Sequence, residues 1–227
     1  MPLPQDVQDR INSYVSSHLP SEDWWTGFFD FVQDEQLALR LADEFFTIRH
    51  LYKLLEGLSA SDRLRVAQVR LQVLHYSSIY EAVIHHVLFD LLPETDEVID
   101  LLQSYALREY SVPSPMRSLI ADLSHDGRAI VPAFLAETAI PKTKVRFDKK
   151  VVCAHQLGLV TEGLRNELIK LYEARNSIHL HAELRKNLQW SLNQSEIAYR
   201  RMKPFREQMI AGLHQHRLCP CSECRPA

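Results

Sequence analysis

An arginine and a histidine stand where a stripe of leucines should continue. Leu164, Leu168 and Leu171 recur three and four residues apart, the spacing of one helical face, and the same count leads on to Arg175, Ile178, His179 and Ala182. Arginine stays protonated at any ordinary pH, so one set partly inside a fold needs an anion, a partner subunit or a ligand. It can also snorkel to water or pair with a carboxylate, and Glu81 is a candidate for that pairing. Here Asn176 follows directly, and His179 and His181 close the stretch. Polar groups converging on one apolar stripe point to a site that holds an anion.

The elements that must position these residues read as helices. At 227 residues, with 46% hydrophobic and 24% charged residues, the chain has ordinary globular composition and enough length for a sizeable core. Six glycines are too few for an all-β protein with its many tight turns. A net charge of −3 excludes a broadly basic protein that coats nucleic acid, so any such contact must be a local patch. No apolar run reaches the roughly 18 residues of a membrane span, and the N-terminus carries no signal-peptide core. Cys153 stands alone while the other three cysteines crowd the last nine residues. A cytoplasmic protein with no membrane partner is expected.

In order along the chain, residues 4–19 read as a short amphipathic helix ended by Pro20. Ser21 then caps a helix carrying Trp24, Trp25, Phe28, Phe29 and Phe31, an aromatic cluster that suits a core or a subunit contact and, less well, a ligand pocket. Residues 36–58 keep a helical period, and the longest helix runs from Asp62 to Leu92, where Pro93 stops it. In it, Ser77, Ser78 and Glu81 sit among large apolar residues; Glu81 is either at the surface edge of the stripe or the counter-charge for Arg175. His85 and His86, adjacent on a helix, point about 100° apart and cannot share a metal. Residues 94–110 suggest another helix, and 129–140, interrupted by Pro132, fits either strand or helix. Lys142, Lys144, Arg146, Lys149 and Lys150 crowd into nine residues, as solvated loop charge or as a phosphate-tracking patch. A short helix to Gly158, the helix capped by Thr161, and a last helix over 191–213 with a basic face complete the chain.

The segment Lys144–Leu180 resembles the HEPN superfamily of small helical-bundle proteins. The family's signature is an arginine, a polar residue and, a few positions on, a histidine. Arg175 and Asn176 supply the first two, and His181, five positions after Asn176, falls within the family's span. His179, three positions after, is closer than the family pattern but shares Arg175's face on an ideal helix; His181 points about 120° away. Tyr80-Glu81 is similar to the polar site that the family carries on its first helix. The resemblance implies an all-α fold, a HEPN-like bundle over residues 61–215 preceded by an N-terminal helical extension over 1–60 and followed by a Cys-rich tail over 216–227.

It further implies an endoribonuclease that needs no metal or cofactor, commonly a toxin or antiviral defence effector, acting as a homodimer with RNA as substrate and an antitoxin or other defence-system protein as a further partner. The expected catalytic residues are Arg175, Asn176, Glu81 and one of His179 and His181, with His181 favoured. RNA contacts are expected from Lys142, Lys144, Arg146, Lys149 and Lys150. RNA carries its own nucleophile in the 2′-OH, so protons must move and negative charge must be held, tasks for an imidazole and a guanidinium. Two other readings compete: a non-catalytic binding, scaffold or immunity subunit in which Arg175 only holds a dimer together, and a zinc-dependent partner-binding protein built on the tail, where His214, His216, Cys219, Cys221 and Cys224 lie within eleven residues.

Overall fold

The computed structural model describes residues 1–178, 181, 184, 185 and 189–220. The chain is mostly helical, and its contacts divide it into two compact units, residues 1–93 with 146–227 and residues 94–145. The first unit opens with α1 (Gln5–Ser17), α2 (Glu22–Phe28), α3 (Glu35–Gly57) and α4 (Asp62–His86). The second holds α5 (Asp96–Leu102), β1 (Gln103–Glu109), α6 (Ser114–Ala121), β2 (Ser124–His125), β3 (Arg128–Ala129), β4 (Ala133–Ala139) and a single 3-10 turn, Lys142–Lys144. The chain then returns to the first unit as α7 (Phe147–Gln156), α8 (Glu162–Asn176), α9 (Leu192–Arg200) and α10 (Met202–Gln215).

α4 is the centre of the first unit, with α3, α7, α8 and α9 packed against it. Its apolar stripe through Val69, Val73, Tyr76, Tyr80 and Val83 is buried, Ile79, Ile84, Val87, Leu88 and Phe89 widen the buried surface towards the C-terminal end, and Ser78 is exposed. The last turn widens into a π-helix, Val87–Leu91, in which Leu92 N–H donates to the Val87 carbonyl at 3.0 Å, and Pro93 then denies the helix its next donor.

The N-terminal aromatic cluster is core. Phe45 of α3 stands at its middle, with ring centroids 5.0 Å from both Trp25 and Phe28 and 6.1 Å from Tyr76 of α4. Residues 1–60 and α4 belong to one compact unit, and this cluster joins them. The contact boundaries fall at 93 and 146.

Two elements differ from the helical reading for a physical reason. Residues 103–109 form β1, not the end of a helix over 94–110, because they pair antiparallel with β4 from Gln103↔Ala139 to Glu109↔Ala133. That ladder outweighs a modest local helical preference. Inside it, Asp126 and Gly127 take positive φ of 51° and 73° and close the two-residue hairpin between β2 and β3. The apolar side chains Tyr105, Leu107, Leu119 and Leu135 of this unit stay exposed. The helix expected over 191–213 is two helices. Pro204 has no N–H for the Arg200 carbonyl, so it sits in the first turn of a new helix, α10. The change of direction buries Ser195, Ala198 and Met202 and leaves Ile197 38% exposed, so the stripe drawn through Ile197 is not the packed face. The basic face is taken up by ion pairs: Arg200 with Glu196, Arg201 with Glu167, Lys203 with Glu207 and Arg206 with Asp30.

Gly212 marks the closest approach of α10 to the turn after α7. A Cβ there would lie 2.9 Å from Leu159 Cα and 3.2 Å from the Gly158 carbonyl oxygen, both backbone atoms that cannot swing aside. Gly212→Ala is expected to cost about 1–3 kcal/mol in urea denaturation. Gly163→Ala, in the first turn of α8 with nothing within 4 Å of the new Cβ, is expected to leave stability unchanged or slightly raised.

Candidate functional site

α8 begins where Thr161 Oγ1 accepts from Leu164 N–H at 3.4 Å, with the Thr161 N–H itself bound to Gln208 Oε1 at 2.7 Å. Its stripe is buried at Leu164 and Leu168 and opens to half-burial at Leu171 and Arg175. The helix stops at Asn176. Ser177 bonds its hydroxyl to the Glu173 carbonyl at 2.7 Å, and Ile178 N–H reaches back only three residues, to Arg175 O at 3.2 Å. Asn and Ser are poor helix formers that prefer such local bonds.

That ending removes the basis for ranking the two histidines by helical angle. A face shared by residues 175 and 179 requires a helix through both, and α8 closes before position 179. His179 lies outside the described residues; His181 is exposed.

Arg175 is half-buried, and its Nη1 donates to Asn176 Oδ1 at 3.2 Å. Its guanidinium carbon lies 5.9 Å from the centre of the Tyr172 ring, which packs in turn against Phe147 at 5.1 Å. Among the described residues no carboxylate pairs with Arg175. Guanidinium, amide and phenol ring thus form one cluster at the end of α8, with donors that no acid among the described residues consumes.

Glu81 is engaged elsewhere. Its Oε1 accepts from Lys150 Nζ at 3.3 Å, and Lys150 is only 3% exposed while Glu81 is 33% exposed. Lys150 belongs to the buried face of α7, at the helical spacing Phe147, Lys150, Val151, Ala154. Burying an ammonium requires a counter-charge, and Glu81 supplies it. Lys150 is thereby withdrawn from the basic patch expected to track phosphates. Arg146, exposed, forks onto Asp148 with two bonds of 3.0 Å, and Lys149 is exposed on α7. Lys142 and Lys144 are exposed in the 3-10 turn of the other unit. Pairing of Lys150 with Glu81 was not anticipated from sequence, although the apolar spacing of α7 marks Lys150 as buried.

Ser77, Ser78 and Tyr80 of α4 are structural. Ser77 and Ser78 bond back to the Val73 and Leu74 carbonyls, at 2.7 and 3.0 Å, and Tyr80 OH donates to the Ala198 carbonyl at 2.7 Å. Burial pushes the Tyr80 phenol well above its ordinary pKa, so it stays a donor. His85 packs edge-on against Phe89, and His86 meets Asp90 at 3.1 Å, so the two diverge as expected of neighbours on a helix.

At the C-terminus, His216 Nε2 meets the Leu157 carbonyl at 2.9 Å, while Cys221 and Cys224 lie outside the described residues. Among the described residues no three His, Cys, Asp or Glu side chains gather as metal ligands, and no helix is long and apolar enough to cross a membrane. Compared with protein-family models, with curated proteins and with solved structures, the chain finds no match in any of the three.

The Lys150–Glu81 pair generates a stability prediction. Glu81→Ala strands a buried ammonium and is expected to cost about 3 kcal/mol, whereas Lys150→Met, which fills the same space without charge, should be close to neutral. Chemical denaturation of the two variants decides it; a Glu81→Ala protein as stable as the parent would mean that Lys150 is not held by this pair.

Proposed function

We propose that the chain is a metal-independent endoribonuclease of HEPN type, a toxin or defence effector that works as a homodimer in the cytoplasm. The observation that carries the reading is Arg175: a half-buried arginine at the end of an apolar stripe, bound to an amide and an aromatic ring, with no carboxylate partner among the described residues. A cation left in that state is suited to an anion brought by a substrate, and the Arg-polar-His order around it is the one seen in the HEPN family.

In this reading the guanidinium of Arg175 holds the scissile phosphate and Asn176 orients one of its oxygens. An imidazole, that of His181, takes the proton from the RNA 2′-OH as its oxygen bonds to phosphorus. The bond from phosphorus to the 5′ oxygen breaks, that oxygen receives a proton, and the products are a cyclic 2′,3′-phosphate and a 5′-OH. Glu81 acts at a remove, by neutralising Lys150 beneath α8. Arg146 and Lys149 on the first unit, and Lys142 and Lys144 on the second, each supply phosphate contacts on their own unit, and the exposed apolar side chains of residues 94–145 favour association with a second copy.

The decisive assay is incubation of the purified protein with total RNA in EDTA. Cleavage is expected to persist in EDTA, to be lost in Arg175→Ala, and to fall about 10²-fold or more in His181→Ala with little change in melting temperature. Activity that vanishes in EDTA and returns with magnesium or zinc would overturn the mechanism. A folded, inactive His179→Ala beside an active His181→Ala would move the proton-transfer role to His179. No cleavage by the parent protein, with dimerisation intact, would leave a binding or immunity subunit. Light scattering at micromolar concentration should give about twice the 26.3 kDa chain mass, and a clean monomer would remove the dimer from the proposal.

A further inference from the structure

A second cation in the first unit has no carboxylate partner among the described residues. Arg49 of α3 is half-buried, its guanidinium carbon 3.9 Å from the centre of the Tyr199 ring and 4.9 Å from that of Tyr52. It lines a pocket of about 210 Å³ between α3, α4 and α9. The other charges around that pocket cancel in pairs: Lys53 Nζ meets Glu56 at 2.6 Å, and Arg200 meets Glu196 at 3.3 Å. Arg49 is left as one uncompensated positive charge, fixed by two aromatic faces.

The pocket also holds donors that the protein does not use. Gln72 of α4 lines it, is 1% exposed, and its Nε2 is sealed from solvent with no hydrogen-bond partner. Leaving such an amide unpaired costs free energy that an incoming acceptor recovers. The Tyr76 hydroxyl of α4, outside the pocket lining, is buried beside the Arg49 guanidinium. Burial drives the Tyr76 phenol upward and the Arg49 charge only partly opposes it, so this group too remains a donor. Ser195, buried on α9, closes the wall.

We propose that this pocket binds a small molecule through a single oxyanion, a carboxylate or a phosphate, held by Arg49 and Gln72. One net positive charge and a fork of planar donors match one oxyanion. The volume is below the roughly 300 Å³ at which drug-sized sites begin, which limits the ligand to an acid or phosphoryl group with a small body. With Glu56 and Glu196 offsetting Lys53 and Arg200, the pocket offers a single net positive charge, which suits a small acid better than a polyanionic strand of RNA. The site is separate from Arg175, and its test does not depend on RNA cleavage.

Acetate, inorganic phosphate and a single-stranded RNA oligonucleotide are titrated into the full chain, followed by amide chemical shifts and by melting temperature. One of the two small anions is expected to raise the melting temperature saturably at up to about 50 mM, well above a millimolar Kd. Which anion does so tells a carboxylate ligand from a phosphorylated one. Arg49→Gln should abolish the shift, Arg49→Lys should weaken binding about tenfold by losing the planar fork, and Gln72→Leu should weaken it while filling the same space. Lys203→Gln, a surface cation outside the pocket, should change nothing. Should Arg49→Gln fail to fold, Arg49→Lys and Gln72→Leu carry the test. Saturation by neither anion, an unchanged shift in the Arg49 and Gln72 variants, or tighter binding of the RNA at Arg49 would each overturn the proposal.

Discussion

The C-terminal half of α4 is enclosed on every side but the strip through Ser78 and Glu81, and that constraint organises the first unit. Polar side chains that such a helix turns inward have to look for partners within the protein. Ser77 does so on its own helix, at the Val73 carbonyl, and Tyr80 reaches across to the Ala198 carbonyl of α9. Glu81, at the half-exposed edge, draws Lys150 of α7 inward to itself. These bonds fix where α9 and α7 can lie on α4, because a shift along either contact would strand a buried donor or charge. The apolar packing supplies the driving force, and the polar bonds select the arrangement.

What α4 uses is not available to α8. Had Glu81 been free, it was the natural acid for Arg175; engaged with Lys150, it leaves the arginine at the end of α8 to an amide and an aromatic ring. Neither of those neutralises a charge. An early stop to the helix, set by Ser177, places this cation in the last turn of α8, where the packed stripe opens to half-burial.

The helices of the first unit were legible because each signal was local: the three-and-four spacing of apolar residues, Pro20 and Pro93 as stops, Thr161 as a cap. What was not legible depends on contacts remote in sequence. Ser104 pairs with Thr138, 34 residues on, and nothing in residues 103–109 alone announces a partner at that distance. The shared core of residues 1–60 and α4 is likewise a matter of Phe45 meeting Tyr76. Two features were local and still passed over: Pro204, which forbids one long helix over 191–213, and Ser177, which closes α8 before either histidine.

The spacing that marks Arg175 as a charge on an apolar stripe marks two more cations. Lys150 follows Phe147 by three residues, and Arg49 follows Phe45 by four, each on the packed side of its helix. Their fates differ with their depth. Lys150, almost wholly buried, is neutralised by a carboxylate, because no other arrangement offsets the desolvation of an ammonium. Arg49 and Arg175, half-buried, keep contact with water and are met by aromatic rings and, among the described residues, by no acid. Guanidinium is weakly hydrated and stacks well, so it tolerates this intermediate depth better than lysine does. A cation held still by rings and left uncompensated is pre-organised for an anion, because its side-chain entropy has already been lost on folding. On that physical ground the two arginines, and not the buried lysine, are the cations whose surroundings suit an anion.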